Sequence, residues 1–337
     1  MKKTSQLSSS SGLWALGVLA RNLLFSLLLL SGCGSAENRS QLVQPDEWWH
    51  VQPRPAYASL EKVGLFLDWF EVYKLLEGTY AIYEPYQFEE AITYLVLGEE
   101  RGVLVDSGNG IGDIHAVVRE LTDLPVTALL THGHYDHVGG AHQFEEVAIR
   151  DHPAAIQRLR AGRENSEARR WVEGNYVWKP LPKGVDPETW SVQPAEPTRL
   201  LQDGEILDLG NRSLEVIAAP GHSPGSACYL DSVNRLLFSG DHFYPGPLYA
   251  HAGDVDLDDY LASNDRLAAR ISEYDHILPG HNEPWVAAEV IPRLSQAFRT
   301  IFEGGGQYSQ DEGLRRYKFD GFDILIRSES VRGRQRK

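Results

Sequence analysis

The sequence predicts an α/β fold in which two αβ layers enclose a pair of β-sheets. Two observations carry this prediction. Short runs rich in β-branched and aromatic residues alternate with amphipathic helical stretches, and the alternation occurs twice, on either side of an irregular insert. At 337 residues and 42% hydrophobic content the chain can bury a sizeable core without disulfides.

Strand signals begin near Gly78. Residues 79–83 and 91–97 read as strands, residues 98–102 as a turn, and residues 103–105 as a buried strand. Asp113 then caps a helix of about ten residues, with Ile114, Val117, Val118 and Leu121 on one face. Residues 126–130 form another buried strand that runs directly into Thr131-His132. In the second half, residues 205–207, 213–218, 226–230 and 236–239 read as strands joined by tight turns. Helices follow at residues 258–272 and 286–302, separated by a strand at 276–278. Between the halves lies the insert, residues 155–197. It reads as irregular and holds Trp171, Tyr176, Trp178 and Trp190, which are candidates to cap a substrate or else to cover the edge of a sheet.

The N-terminus differs in kind. Lys2 and Lys3 open the chain, residues 23–30 are leucine and phenylalanine around a single serine, and no acidic residue precedes Glu37. This is the layout of a secretory signal. Leu30-Ser31-Gly32-Cys33 resembles the bacterial lipoprotein signal, in which the cysteine is acylated with palmitate-type chains. The expected organisation is a signal peptide at 1–32, a lipidated tether at 33–58 carrying Pro45, Pro53 and Pro55, and one folded domain at 59–337 that includes the insert. The location implied is the bacterial cell envelope, with the domain held to the membrane by its N-terminal lipid and facing the periplasm or the outside. With Cys33 acylated, Cys228 has no partner and reads as a small buried hydrophobe. A net charge of −15 argues against a nucleic-acid partner, because phosphate binding needs clustered Lys and Arg. A small-molecule substrate is expected instead.

The strongest chemical signal is Thr131-His132-Gly133-His134-Tyr135-Asp136-His137-Val138-Gly139-Gly140. Four potential ligands fall within six residues at the end of an apolar strand, and imidazole with carboxylate suits zinc. Three more candidates each follow a strand-like run and a glycine: His222 after Gly221, Asp241 after Gly240 and His281 after Gly280. Glycine lets the backbone bend and approach closely before the ligand.

His-x-His-x-Asp-His followed by Gly-His, Gly-Asp and Gly-His resembles the metallo-β-lactamase superfamily over roughly residues 78–285. The resemblance implies an αββα sandwich of two mixed sheets flanked by helices. It also implies two zinc ions per chain: His132, His134 and His222 on the first, Asp136, His137 and His281 on the second, and Asp241 bridging them. Asp106 matches the strand-end aspartate that orients a ligand histidine. Flavodiiron relatives carry Glu where this chain has His134, which points away from a redox di-iron centre. β-Lactamases carry Cys or Ser at the position of Asp241, whereas a bridging Asp is the pattern of glyoxalase II-like thioesterases and N-acyl homoserine lactonases. Tyr244 is similar in spacing to a tyrosine with which those lactonases contact the substrate carbonyl.

The implied activity is zinc-dependent hydrolysis of an ester, lactone or thioester by a metal-bridging hydroxide, with Asp136 moving the proton and Tyr244 steadying the developing oxyanion. The alternatives are a mononuclear iron persulfide dioxygenase, which uses the same three histidines, and a β-lactam hydrolase. The run at residues 23–30 is shorter than the ~20 apolar residues that span a bilayer, so anchoring falls to the lipid. Cys33→Ser is expected to abolish lipid labelling and leave an uncleaved precursor, with mass spectrometry of the mature N-terminus as the measurement. Cleavage elsewhere, or an intact Met1, would contradict the lipoprotein reading.

Overall fold

The computed structural model describes residues 48–332; the expected signal peptide, Cys33 and most of the expected tether lie outside them. The first sheet follows the chain in order: β1 (Glu61–Val63), β2 (Glu71–Leu76), β3 (Thr79–Tyr83), β4 (Ile92–Leu97), β5 (Gly102–Val105), β6 (Val126–Leu130), β7 (Val147–Arg150) and β8 (Arg199–Leu201). Its strands pair antiparallel as far as β5 and parallel from β5 to β8. The second sheet starts with the antiparallel series β9 (Ile206–Asp208), β10 (Ser213–Ala218), β11 (Ala227–Asp231) and β12 (Leu236–Gly240). The chain leaves it for β13 (Pro247–Ala250). It returns with β14 (His276–Pro279), parallel to β12, and β15 (Val286–Ala287). Both sheets are mixed.

Period-two alternation puts each strand's side chains into two layers. Tyr83, Tyr94, Val105 and Leu129 of the first sheet meet Val216, Tyr229 and Phe238 of the second in a central core. The opposite face of the first sheet, with Ile82, Leu95 and Leu104, packs against α1 (Ile114–Leu121) and, beyond the short α2 (Tyr135–Val138), against α3 (Pro153–Ala161). Past α4 (Asn165–Ala168), the outer face of the second sheet, with Ile217, Leu230 and Ile277, packs against α5 (Leu257–Ala269) and α6 (Val290–Phe302). The layers are helix, sheet, sheet, helix. Asp113 caps α1 by accepting from Ala116 N at 2.9 Å, and Cys228 is fully buried in the outer core. Among the described residues no helix is long and apolar enough to cross a membrane.

The structure differs from the sequence expectation in several places, including the unexpected strands β7 and β8. Strands β1 and β2 precede Gly78; two of the three residues of β1 are charged and exposed, so it carries little apolar signal. A third sheet, β13 with β16 (Tyr308–Asp311), β17 (Leu314–Phe319) and β18 (Phe322–Arg327), lies against the outer face. Helix α6 starts at Val290, because Val286 and Ala287 pair with β14 instead. The insert opens with helices α3 and α4. The end of the tether is tied into the domain: Tyr57 is buried and stacks on Tyr83 with centroids 4.5 Å apart, and Arg54 forms a two-point ion pair with Glu90. The packed domain therefore begins before residue 59.

One charged clip joins the sheets at the end away from the His-rich loops. Arg212, on the turn into β10, donates to Asp231 at 2.6 Å, to Gly78 O at 3.0 Å and to Thr79 Oγ1 at 2.9 Å. Both ions are buried, so removing one leaves the other charged and unpaired. Arg212→Ala is expected to destabilise the protein by about 3–5 kcal/mol in denaturant unfolding. A loss below about 1 kcal/mol would show that the two sheets do not depend on this clip.

Candidate metal centre

Every candidate ligand sits just past the C-terminal end of a strand, so the fold gathers them at one edge of the sandwich. Strand β6 delivers His132 and His134, and the single turn α2 carries Asp136 and His137. His222 follows β10, Asp241 follows β12 and His281 follows β14. Two glycines allow the close approaches. Gly240 has φ +49°, and a Cβ there would lie 2.4 Å from Thr131 Oγ1. Gly221 has φ +138°, and a Cβ there would lie 2.3 Å from Tyr260 Cα. A side chain would have to displace the Thr131 side chain at the first position and the Tyr260 backbone at the second, and both positive φ values favour glycine.

The side chains form two groups. His132, His134, His222 and Asp241 each offer a ligand atom within 4.8 Å of the others, and Asp136, His137 and His281 do the same. Asp241 faces both groups with different oxygens. Its Oδ2 lies 3.3 Å from His222 Nε2 and 4.0 Å from His132 Nε2; its Oδ1 lies 2.9 Å from His281 Nε2 and 3.1 Å from His137 Nε2.

Partners behind the rings decide which nitrogens look inward. Asp106, itself at φ +61°, accepts from Thr131 N at 2.7 Å and from Thr131 Oγ1, and its Oδ2 is 2.8 Å from His137 Nδ1. Thr131 Oγ1 is also 3.0 Å from His132 Nδ1. His281 Nδ1 is 2.7 Å from the carbonyl of Glu89, which can only accept. Each of these three rings thus spends its Nδ1 proton outward and turns an Nε2 lone pair inward. The facing atoms His137 Nε2 and His281 Nε2 are 3.2 Å apart, and His132 Nε2 is buried without a hydrogen-bond partner. Convergent lone pairs beside buried carboxylates fit divalent cations.

The electrostatics agree. Burial, reinforced by neighbouring imidazoles, holds His132 well below the usual histidine range. Burial also lowers His222 to about 3 against the pull of Asp241, so both offer neutral rings. For His281 burial opposes the charged form, but Asp241 and Asp136 outweigh it and raise the ring to about 9. His137 is likewise raised, by Asp241, Asp136 and Asp106. The raised values of these two rings record how strongly the buried carboxylates call for positive charge at this spot.

Residues 91–281 match the metallo-beta-lactamase superfamily. The chain belongs to that superfamily. Within it, the chain is 35% identical over 245 residues to the acyl-coenzyme A thioesterase MBLAC2 of Gallus gallus, covering 69% of this chain and 87% of that protein. It is 33% identical to the human protein of the same name, over 69% of this chain and 88% of the relative. The hydroxyacylglutathione hydrolase GloC of Haemophilus influenzae is 24% identical over 47% of this chain and 69% of its own. Among solved structures, the metallo-beta-lactamase family protein TTHA1429 of Thermus thermophilus superposes with a TM-score of 0.50 at 23% identity, over 68% of this chain and 82% of that one. That likeness concerns the metallo-beta-lactamase fold alone.

Tyr244 is buried with its ring 5.0 Å from that of His281, and its hydroxyl accepts from Tyr249 N at 3.0 Å. Of the insert aromatics, Trp171 and Trp190 are buried and pack as core. Trp171 stacks flat on Tyr135 at 3.7 Å, and Trp178 is the exposed one. Two neighbours of the site carried no signal in the sequence. Glu89 accepts from Tyr135 Oη at 2.8 Å while its carbonyl holds His281; burial and the nearby Asp136 push its carboxyl up to about 8. Asp254 lies 3.8 Å from His134 Nε2. Both are acids in loops, reached only through long-range folding.

Asp106 links Thr131 and His137, so its loss is felt at both groups. Asp106→Ala is expected to weaken metal binding by about 10–100-fold in chelator competition. Full affinity in that variant would mean that the rings are held by packing alone.

Proposed function

We propose that this chain hydrolyses the thioester of an acyl-coenzyme A with two zinc ions held by the seven side chains. The observation that carries the reading is the 35% identity, across most of both chains, to an acyl-coenzyme A thioesterase. His132, His134 and His222 would hold one ion, Asp136, His137 and His281 the other, with Asp241 shared between them. Five imidazoles and two carboxylates are a donor set suited to zinc. The ions would make water nucleophilic near neutral pH and polarise the acyl carbonyl.

The chain's own residues have the remaining work. Asp136, with Oδ2 3.4 Å from His281 Nε2 and 3.5 Å from His137 Nε2, is the carboxylate available to take the proton of the attacking water. Thiols ionise near pH 8.5, so the coenzyme A sulfur leaves as thiolate or takes up that proton. Tyr244 accepts from Tyr249 N, which leaves its own O–H proton free to donate to the oxygen on which charge develops. The aspartate shared by both groups, in place of Cys or Ser, disfavours β-lactams as substrates.

The test is a thiol-release assay over an acyl-coenzyme A series, with metal content measured on the same preparation. Two zincs per chain and coenzyme A release are expected, and His132→Ala should lose one metal and most turnover. A single iron with oxygen consumption would establish the dioxygenase alternative instead. Hydrolysis of β-lactams without thioester cleavage would also overturn the proposal. Tyr244→Phe should lower turnover by about 100- to 1000-fold at unchanged metal content and melting temperature; unchanged turnover would make Tyr244 a packing residue.

A further inference from the structure

His134 stands apart from the other imidazoles of the cluster in two ways. Its side chain is 21% exposed, against 1–5% for His132, His137, His222 and His281. It is also turned the other way round. His132, His137 and His281 point Nε2 inward, whereas His134 brings its Nδ1 to 2.9 Å from His222 Nε2 and leaves Nε2 facing outward. Opposite that outward nitrogen, at 3.8 Å, is Oδ2 of Asp254, and the same oxygen lies 2.7 Å from Arg158 Nη1. Asp254 comes from the loop between β13 and α5, Arg158 from α3. Neither belongs to a segment that carries a ligand.

We propose that Asp254, held in place by Arg158, is a positioning residue that sets the tautomer of His134. This rests on the reading of His134 as a metal ligand. A neutral imidazole carries one proton and can place it on either nitrogen. A carboxylate opposite Nε2 favours the proton there, because the N–H dipole then points at negative charge. The 3.8 Å separation is longer than a hydrogen bond, but charge acts across it in a partly buried site. The lone pair is left on Nδ1, the nitrogen that faces His222 and the rest of the first group. Without Asp254 the proton is free to move to Nδ1 and bond to His222 Nε2, and both rings then lose the lone pairs that a cation needs. Arg158, 2.7 Å from the carboxylate, holds it in one orientation, so it should matter through Asp254.

Two measurements test this on the full domain. In ¹⁵N-histidine NMR of the zinc-loaded wild type, His134 should carry its proton on Nε2, while His132, His137 and His281 carry theirs on Nδ1. In chelator competition, Asp254→Ala should bind the first metal about 10- to 100-fold more weakly and the second with wild-type affinity, with the melting temperature of the metal-free protein unchanged. Arg158→Ala should show a smaller loss of the same kind, and Arg158→Lys should recover it. Asp254→Asn preserves shape and serves if the alanine variant fails to fold; it should still weaken the first site. Wild-type affinity for both metals in Asp254→Ala or Asp254→Asn, or a proton on Nδ1 of His134 in the wild type, would overturn the proposal. A wild type that binds no metal would instead overturn the assignment of the ligands.

Discussion

The Asp106 carboxylate is 2% exposed, and a charge so placed is tolerated only when donors surround it. Those donors are the Thr131 amide, the Thr131 hydroxyl and the His137 ring. In meeting that requirement they fasten the end of β5 to the loop after β6 and to α2. The rings of His132 and His137 take their orientation from this one knot. Through the close contact of Gly240 with Thr131, the loop that carries Asp241 is fitted against it as well. The backbone itself is bent to serve the arrangement, since Asp106 sits in the left-handed region that Asp enters more readily than most residues.

Much of this was legible in the sequence, because it is written in local patterns. Runs such as residues 92–97 and 214–218 are largely apolar, as strands buried on both faces must be, and their ends lead into the loops that shape the site. Asp113 before Ile114 announced a helix start that the structure realises. What was missed depends on contacts distant in sequence. The third sheet joins β13 to β18 across more than seventy residues, and its outer strand β16 is polar and exposed, so periodicity had nothing to report. Glu89 and Asp254 look like ordinary loop acids until folding brings them to His281 and His134.

The charge arrangement shows what the cluster demands of its occupant. Asp136 and Asp241 are buried, and burial alone would drive both towards neutrality. The neighbouring His137 and His281 offset that cost and hold both carboxyls below the usual carboxylate range. A divalent ion bound there competes with protons for the same ring nitrogens, so metal affinity should fall in acid.

The flat stack of Trp171 on Tyr135 has a mechanical consequence. Tyr135 lies between His134 and Asp136, and its hydroxyl is held by Glu89, whose carbonyl in turn holds His281. The part of the insert that carries Trp171 is therefore packed directly onto the ligand-bearing turn. Lifting that part would break the Trp171–Tyr135 stack beside two ligands. The stack thus covers the cluster on the Tyr135 side, and its most exposed ligand is His134.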